Sequence, residues 1–181
     1  MIHLRWATLD DIPAIGALMT RAIDTLQADM LTPAQVAASH KVMGLDRQLL
    51  IDGTYLLAEE GVPGESSRLA GCGGWSARAT LFGGDAGVVP RDARMLDPAR
   101  DPARIRAMYT DPGCVRRGIG RAVLAACEAA ARAAGFTRAE MMATMAGVRL
   151  YRACGYIRLE SVPAHVDGIV VPMIRMGRSL D

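Results

Sequence analysis

Apolar and polar positions alternate from the second residue: "IHLRW", residues 2–6, has a period of two and predicts a strand. Ile12, Ile15, Leu18, Met19 and Ile23 then recur at helical spacing, with Thr8 or Asp10 placed to cap that helix. A second cap, Thr32-Pro33, precedes "AQVAASHKVM" and predicts another helix, Pro33 being suited to a first helical turn. "GTYLLAEE" (53–60) and "RLAGCGGWSAR" (68–78) predict antiparallel strands joined by the turn-rich "GVPGESS". From Leu81 to Pro102 the chain is dense in Gly, Pro and Asp and loses its periodicity; a loop of that length is either filler or part of a ligand site. "ARIRAMYT" (103–110) alternates again and stops at Asp111-Pro112. A strong helix over 119–134 buries Val123, Leu124, Cys127 and Ala131 and closes at Gly135. Strands at 136–144, 156–162 and 168–176 and a short helix at 147–155 complete the chain, a pattern that predicts one mixed α/β domain over 1–181 around a twisted sheet.

Composition narrows the chemistry. With 21 Lys+Arg against 19 Asp+Glu the chain is nearly neutral, so no broad field argues for a nucleic-acid partner or a membrane surface. The basic residues are arginines except for Lys41. Cys72, Cys114, Cys127 and Cys154 are widely spaced, with no C-x-x-C pair and no histidine at metal-ligand spacing; a reduced, cytoplasmic protein without a metal is expected. No segment has the apolar length of a membrane span, and the N-terminus lacks the pattern of a targeting signal.

The most informative stretch is "GCVRRGIGRAVL", residues 113–124. Where a strand ends and a helix begins, unpaired backbone N–H groups and the helix dipole make a ready anion site. Arg116, Arg117, Gly118, Ile119, Gly120 and Arg121 occupy that junction, the glycines clearing side-chain bulk and the arginines adding charge. The P-loop pattern fails because Ile119 stands at the lysine position, and the dinucleotide pattern fails because Val123 stands at the third glycine.

This segment resembles the acetyl-CoA motif, [QR]-x-x-G-x-[GA], of the GNAT (GCN5-related) N-acetyltransferases. "DPGCVRRGIGRAVLAACEAAARAAGF" is similar to the family segment from end to end. Counting from Pro112 and the helix start, Val115 takes the Gln/Arg slot, a departure from the pattern, and Gly118 and Gly120 are the defining glycines. Downstream, "GVRLYRACGYIRL" is similar to the family's tyrosine segment, which implies that Tyr151 is the general acid for the CoA thiolate. The strand "RAMYT" resembles the one that lends backbone groups to the pantetheine arm, implying Met108, Tyr109 and Thr110. The resemblance implies a GNAT-like, mostly antiparallel sheet of about six to seven strands flanked by helices. It also implies acetyl-CoA as cosubstrate, a small-molecule or protein amine as acceptor, and a homodimer.

A general base is not legible. The strand before the motif offers Arg104 and Arg106 but no carboxylate, and Glu140, Glu59, Asp85 and His40 qualify only as titratable groups, so a water relay is expected. Trp75 and Phe82, in a glycine-bordered stretch, are candidates for a substrate pocket or for core and loop anchors. His165 and Asp167 are expected in a turn, and Met141, Met142 and Met145 as core filling. Acceptor choice is expected to reside in the helices of residues 11–43 and the loop of 81–102. Two alternatives keep the fold: a module that binds CoA without turnover, and transfer of a different acyl group.

Overall fold

The computed structural model describes residues 1–61 and 67–181; the connector expected between the first two antiparallel strands falls on 62–66, outside the described residues. The chain runs β1 (Ile2–Trp6), α1 (Ile12–Leu26), α2 (Pro33–Val42), α3 (Arg47–Ile51), β2 (Tyr55–Glu60), β3 (Arg68–Ser76), β4 (Ala103–Thr110), α4 (Ile119–Ala133), β5 (Arg138–Thr144), α5 (Val148–Ala153), β6 (Ile157–Ser161), β7 (Ala164–Val166), β8 (Ile169–Val171) and β9 (Met173–Ser179). Seven strands form one sheet in the order β1-β2-β3-β4-β5-β9-β6. Every neighbouring pair in it is antiparallel except β4 and β5.

Both faces of the sheet are covered, and the sequence of β2 shows why. Tyr55 and Leu57 point into one cluster with Ile15, Leu18 and Met19 of α1 and Leu49 and Leu50 of α3. Leu56 and Ala58 point the other way, into a cluster with Ile119, Val123 and Leu124 of α4 and Tyr151 of α5. Period two on a strand thus distributes an unbroken apolar run between two layers. Local caps set the helix starts: the Thr8 N–H donates to Asp11 Oδ2 at 2.7 Å in a short turn leading into α1, and Thr32 Oγ1 accepts from the Gln35 N–H at 3.3 Å at the start of α2.

Two expectations need correction. The last strand, expected over 168–176, is split at Pro172, which has no N–H to give a ladder. Residues 164–171 instead form a separate hairpin, β7–β8, whose turn residues Asp167 and Gly168 both have positive φ, 50° and 79°. The Leu81–Pro102 segment contains no helix or strand, but it is tied down. Thr80 and Asp92 exchange backbone and side-chain hydrogen bonds at 2.8–2.9 Å, the Asp85 N–H donates to Leu45 O at 2.8 Å, and buried Leu96 donates its N–H to Ala77 O at 2.7 Å.

Candidate active site

The site originates in a failure of strand pairing. β4 pairs with β5 only over Ala103–Ile105 against Ala139–Met141, although β4 continues to Thr110 and β5 to Thr144. Ala107 has φ 51°, and its carbonyl accepts a 2.7 Å hydrogen bond from the hydroxyl of the fully buried Tyr55. An L-residue held at positive φ redirects the strand, and the buried phenol fixes that bend. Beyond the bend the two parallel strands diverge around a cleft of about 630 Å³.

One wall of the cleft is the turn ahead of α4. Asp111 shapes it: Oδ1 accepts from the Gly113 N–H at 2.9 Å, while Arg21 and Arg68 reach the carboxylate at 2.9 and 2.5 Å. Burial alone raises the Asp111 pKa, but the hydrogen bonds from Arg21 and the Gly113 N–H outweigh it and the net direction is down. Gly118 caps α4 at φ 80°, and a side chain added there would meet open space. The first α4 N–H with a helical partner is that of Ala122, on Gly118 O at 2.9 Å, so the amides of Ile119, Gly120 and Arg121 have none. Gly120 packs closely: a Cβ there would lie 2.8 Å from Leu150 Cδ2, so that side chain would have to shift.

The expected cofactor residues do not all face the same way. Met108, Tyr109, Thr110, Val115, Arg116, Gly118, Ile119, Gly120 and Arg121 line the cleft. Arg117 does not: its guanidinium pairs with Glu60 of β2 instead. Among the described residues neither Arg116 nor Arg121 enters an ion pair, whereas Arg106, also on the cleft, is paired with Asp46 at 2.9 Å and donates to Gly83 O at 2.7 Å and Thr80 O at 3.0 Å.

Tyr151 also lines the cleft. Its ring packs edge-on to Tyr156 with centroids 6.1 Å apart, and among the described residues its hydroxyl has no hydrogen-bond partner. Burial, with smaller contributions from Cys154 and Cys127, pushes the phenol well above its ordinary value, so it stays protonated at neutral pH. Of the two aromatic candidates, Phe82 lines the cleft and Trp75 does not. Trp75 is a core residue, packed edge-on to Phe136 at 6.1 Å, because β3 is central and covered on both faces.

The four titratable candidates for a base are committed elsewhere. Glu140 is bound by Arg104 and Arg175, Glu59 by Arg5 and His3, Asp85 by Arg91, and His40 by Asp24. Among the described residues no Asp, Glu or His lines the cleft, and no group of such residues and cysteines could hold a metal ion. Sequence reasoning missed Gln27, Met43, Arg149 and Met173, which also line it. They come from separate elements and carry no local motif.

With this geometry in view, the comparisons are informative. The sequence matches the profile of the Acetyltransferase (GNAT) family over residues 23–156. The chain belongs to that family. No curated protein matches it significantly by sequence. A GCN5-related N-acetyltransferase of Rhodopseudomonas palustris shares this GNAT fold with a TM-score of 0.69 at 19% identity, covering 98% of this chain and 94% of that one. An acetyltransferase of Salmonella typhimurium, yncA, solved with acetyl-CoA, has a TM-score of 0.62 at 20% identity, covering 99% and 94%. The phosphinothricin acetyltransferase of Sinorhizobium meliloti, solved in complex with AcCoA, has a TM-score of 0.62 at 19% identity, covering 98% and 88%.

Proposed function

We propose that this GNAT protein is an N-acetyltransferase that moves an acetyl group from acetyl-CoA to a primary amine. The observation that carries the reading is the meeting, in one cleft, of an anion-ready helix start and an unpartnered phenol. The free amides of 119–121 and the unpaired Arg116 and Arg121 suit the pyrophosphate of CoA, which Gly118 and Gly120 let approach without side-chain bulk. Neighbours of the same fold solved with acetyl-CoA support that choice. The splayed end of β4, residues 108–110, offers backbone groups to the pantetheine arm and the thioester carbonyl.

In this reading the lone pair of the neutral amine attacks the thioester carbon, forming the C–N bond. The C–S bond then breaks, the Tyr151 hydroxyl gives its proton to the thiolate, and the proton lost from nitrogen passes through water and restores the phenol, since among the described residues no Asp, Glu or His lines the cleft. The four free cysteines, three of them buried, agree with a cytoplasmic setting. Thiol release from acetyl-CoA, measured across a panel of amines with the parent and Tyr151→Phe, tests the proposal. Turnover that falls by about 10²–10⁴-fold in Tyr151→Phe is expected. Equal rates would remove Tyr151 from the mechanism, and CoA binding with no thiol release across the panel would leave a binding module.

A further inference from the structure

The acceptor side of the cleft is chemically distinct from the side assigned to CoA, and its residues point to a class of amine. Along β4, Thr110 stands beside Gly120 at the anion-ready turn, while the Arg106 guanidinium contacts Gly83 O next to Phe82. The three residues between them place the two ends roughly 13 Å apart along the strand. At the Phe82 end, Met43, Met142 and Met173 join Phe82 in one apolar cluster backed by Val42 of α2 and by Val166 and Val171 of the β7–β8 hairpin. All four also line the cleft, with Leu26 and Ile23 of α1. Methionines and a phenylalanine form an adaptable apolar surface that suits a carbon skeleton of loosely defined shape.

One polar side chain interrupts this surface. Gln27, at the C-terminal cap of α1, is 4% exposed and lines the cleft. Its amide nitrogen faces the Met43 sulfur at 3.8 Å, a weak acceptor, and among the described residues its amide oxygen has no partner. That oxygen is open to the cleft, where a ligand N–H can meet it. Its position adds to this, since the C-terminal end of a helix carries partial negative charge and favours an amino group.

The charge around the cleft sets the limit. Among the described residues the ionised side chains that line it are all arginines, Arg106, Arg116, Arg121 and Arg149, and of these only Arg106 has a carboxylate partner, Asp46. With Arg116 and Arg121 assigned to CoA, a second ammonium at the acceptor end would find no side-chain counter-ion among those residues.

We propose that the acceptor is a monoamine with an apolar body, its nitrogen hydrogen-bonded to the Gln27 amide oxygen and its carbon skeleton against Met43, Phe82, Met142 and Met173. The acceptor role rests on the transferase reading, whereas the pocket does not depend on turnover. The test is calorimetric titration of hexylamine, 2-phenylethylamine, spermidine and L-glutamate into the protein saturated with CoA, using the parent, Gln27→Leu and Gln27→Glu. The two apolar monoamines bind about tenfold or more tightly than spermidine or glutamate, and Gln27→Leu loses about tenfold of that affinity while CoA affinity is retained. Gln27→Glu, which supplies the missing carboxylate, brings spermidine level with hexylamine. Spermidine or glutamate binding the parent as well as hexylamine, no amine binding at all, or Gln27→Leu binding the monoamines like the parent overturns the proposal. A protein that binds apolar amines beside CoA yet releases no thiol from acetyl-CoA keeps the pocket and loses the transferase. One that acetylates spermidine in preference keeps the transferase and loses the pocket.

Discussion

Arg106 and Arg116 line the same cleft, and the structure treats their charges in opposite ways. Arg106 is 3% exposed and its guanidinium is held by three hydrogen bonds, to the Asp46 carboxylate and to the carbonyls of Thr80 and Gly83. Burial lowers its pKa, and Asp46 works against that fall. Arg116, with Arg121 beside the same turn, has no ion-pair partner among the described residues. An arginine whose charge is answered by the fold is a structural part, here the clasp that holds the 80–92 segment against α3. An arginine left unanswered at a helix start that presents free amides is available to an anion, which is the role proposed for it.

The most damaging way to probe this contrast is Asp46→Ala, which leaves Arg106 buried without its counter-charge. Removing one partner of a buried pair costs about 3–5 kcal/mol, and at roughly 2–4 °C per kcal/mol the melting temperature falls by about 6–20 °C. A melting curve that moved by less than about 2 °C would show the clasp to be dispensable. Arg116→Ala and Arg121→Ala reverse the outcome. Each lowers acetyl-CoA affinity by about tenfold or more, as expected for a lost charge-assisted hydrogen bond, and leaves the melting temperature where it was. If either melts like Asp46→Ala, the distinction between the two sets of arginines fails.

The pH profile examines Tyr151. In the proposed mechanism the protonated phenol is the active form, and burial holds its pKa above the ordinary 10.0, so loss of the acid begins only above that pH. Turnover therefore shows no alkaline limb attributable to Tyr151 below pH 10. A limb between pH 7 and 9 that disappears in Tyr151→Phe would contradict the assignment. The smallest effect belongs to Arg117→Ala, because that side chain is turned towards Glu60 on the protein's exterior. Acetyl-CoA affinity within about twofold of the parent is expected, and a loss as large as that of Arg116→Ala would place Arg117 in the anion site after all.

What the sequence made legible divides along the same line. The turn ahead of α4 could be read because its parts are contiguous: the strand end at Thr110, the cap at Gly118 and the amphipathic helix beyond lie within one stretch. The helix cap at Thr32 was equally local, whereas Thr8 and Asp10, expected to cap α1, lie at the short turn ahead of it and Asp11 is the residue that precedes the helix. The Arg106–Asp46 pair joins residues far apart in the chain, and the Arg104–Glu140–Arg175 set spans three strands, so neither leaves a local pattern. Trp75 stayed open between pocket and core for a related reason. Its flanking glycines mimic a ligand-facing loop, yet β3 lies in the middle of the sheet, where both faces are buried. Gln27 carried no signal at all, since one glutamine at the end of an amphipathic helix is ordinary until the fold sets Met43 beside it and a cleft in front of it.

The central claim is that the turn at 115–121 seats the pyrophosphate of CoA, and calorimetric titration with acetyl-CoA tests it most directly when the parent is compared with Gly118→Glu. A side chain at Gly118 meets no protein atom within 4 Å, so the substitution occupies the anion's place with a carboxylate and at positive φ costs the fold only about 1 kcal/mol. The account predicts saturable binding by the parent and a loss of about a hundredfold or more in a Gly118→Glu protein that still folds. Equal affinity in the two proteins, or no binding by a folded parent, would contradict it.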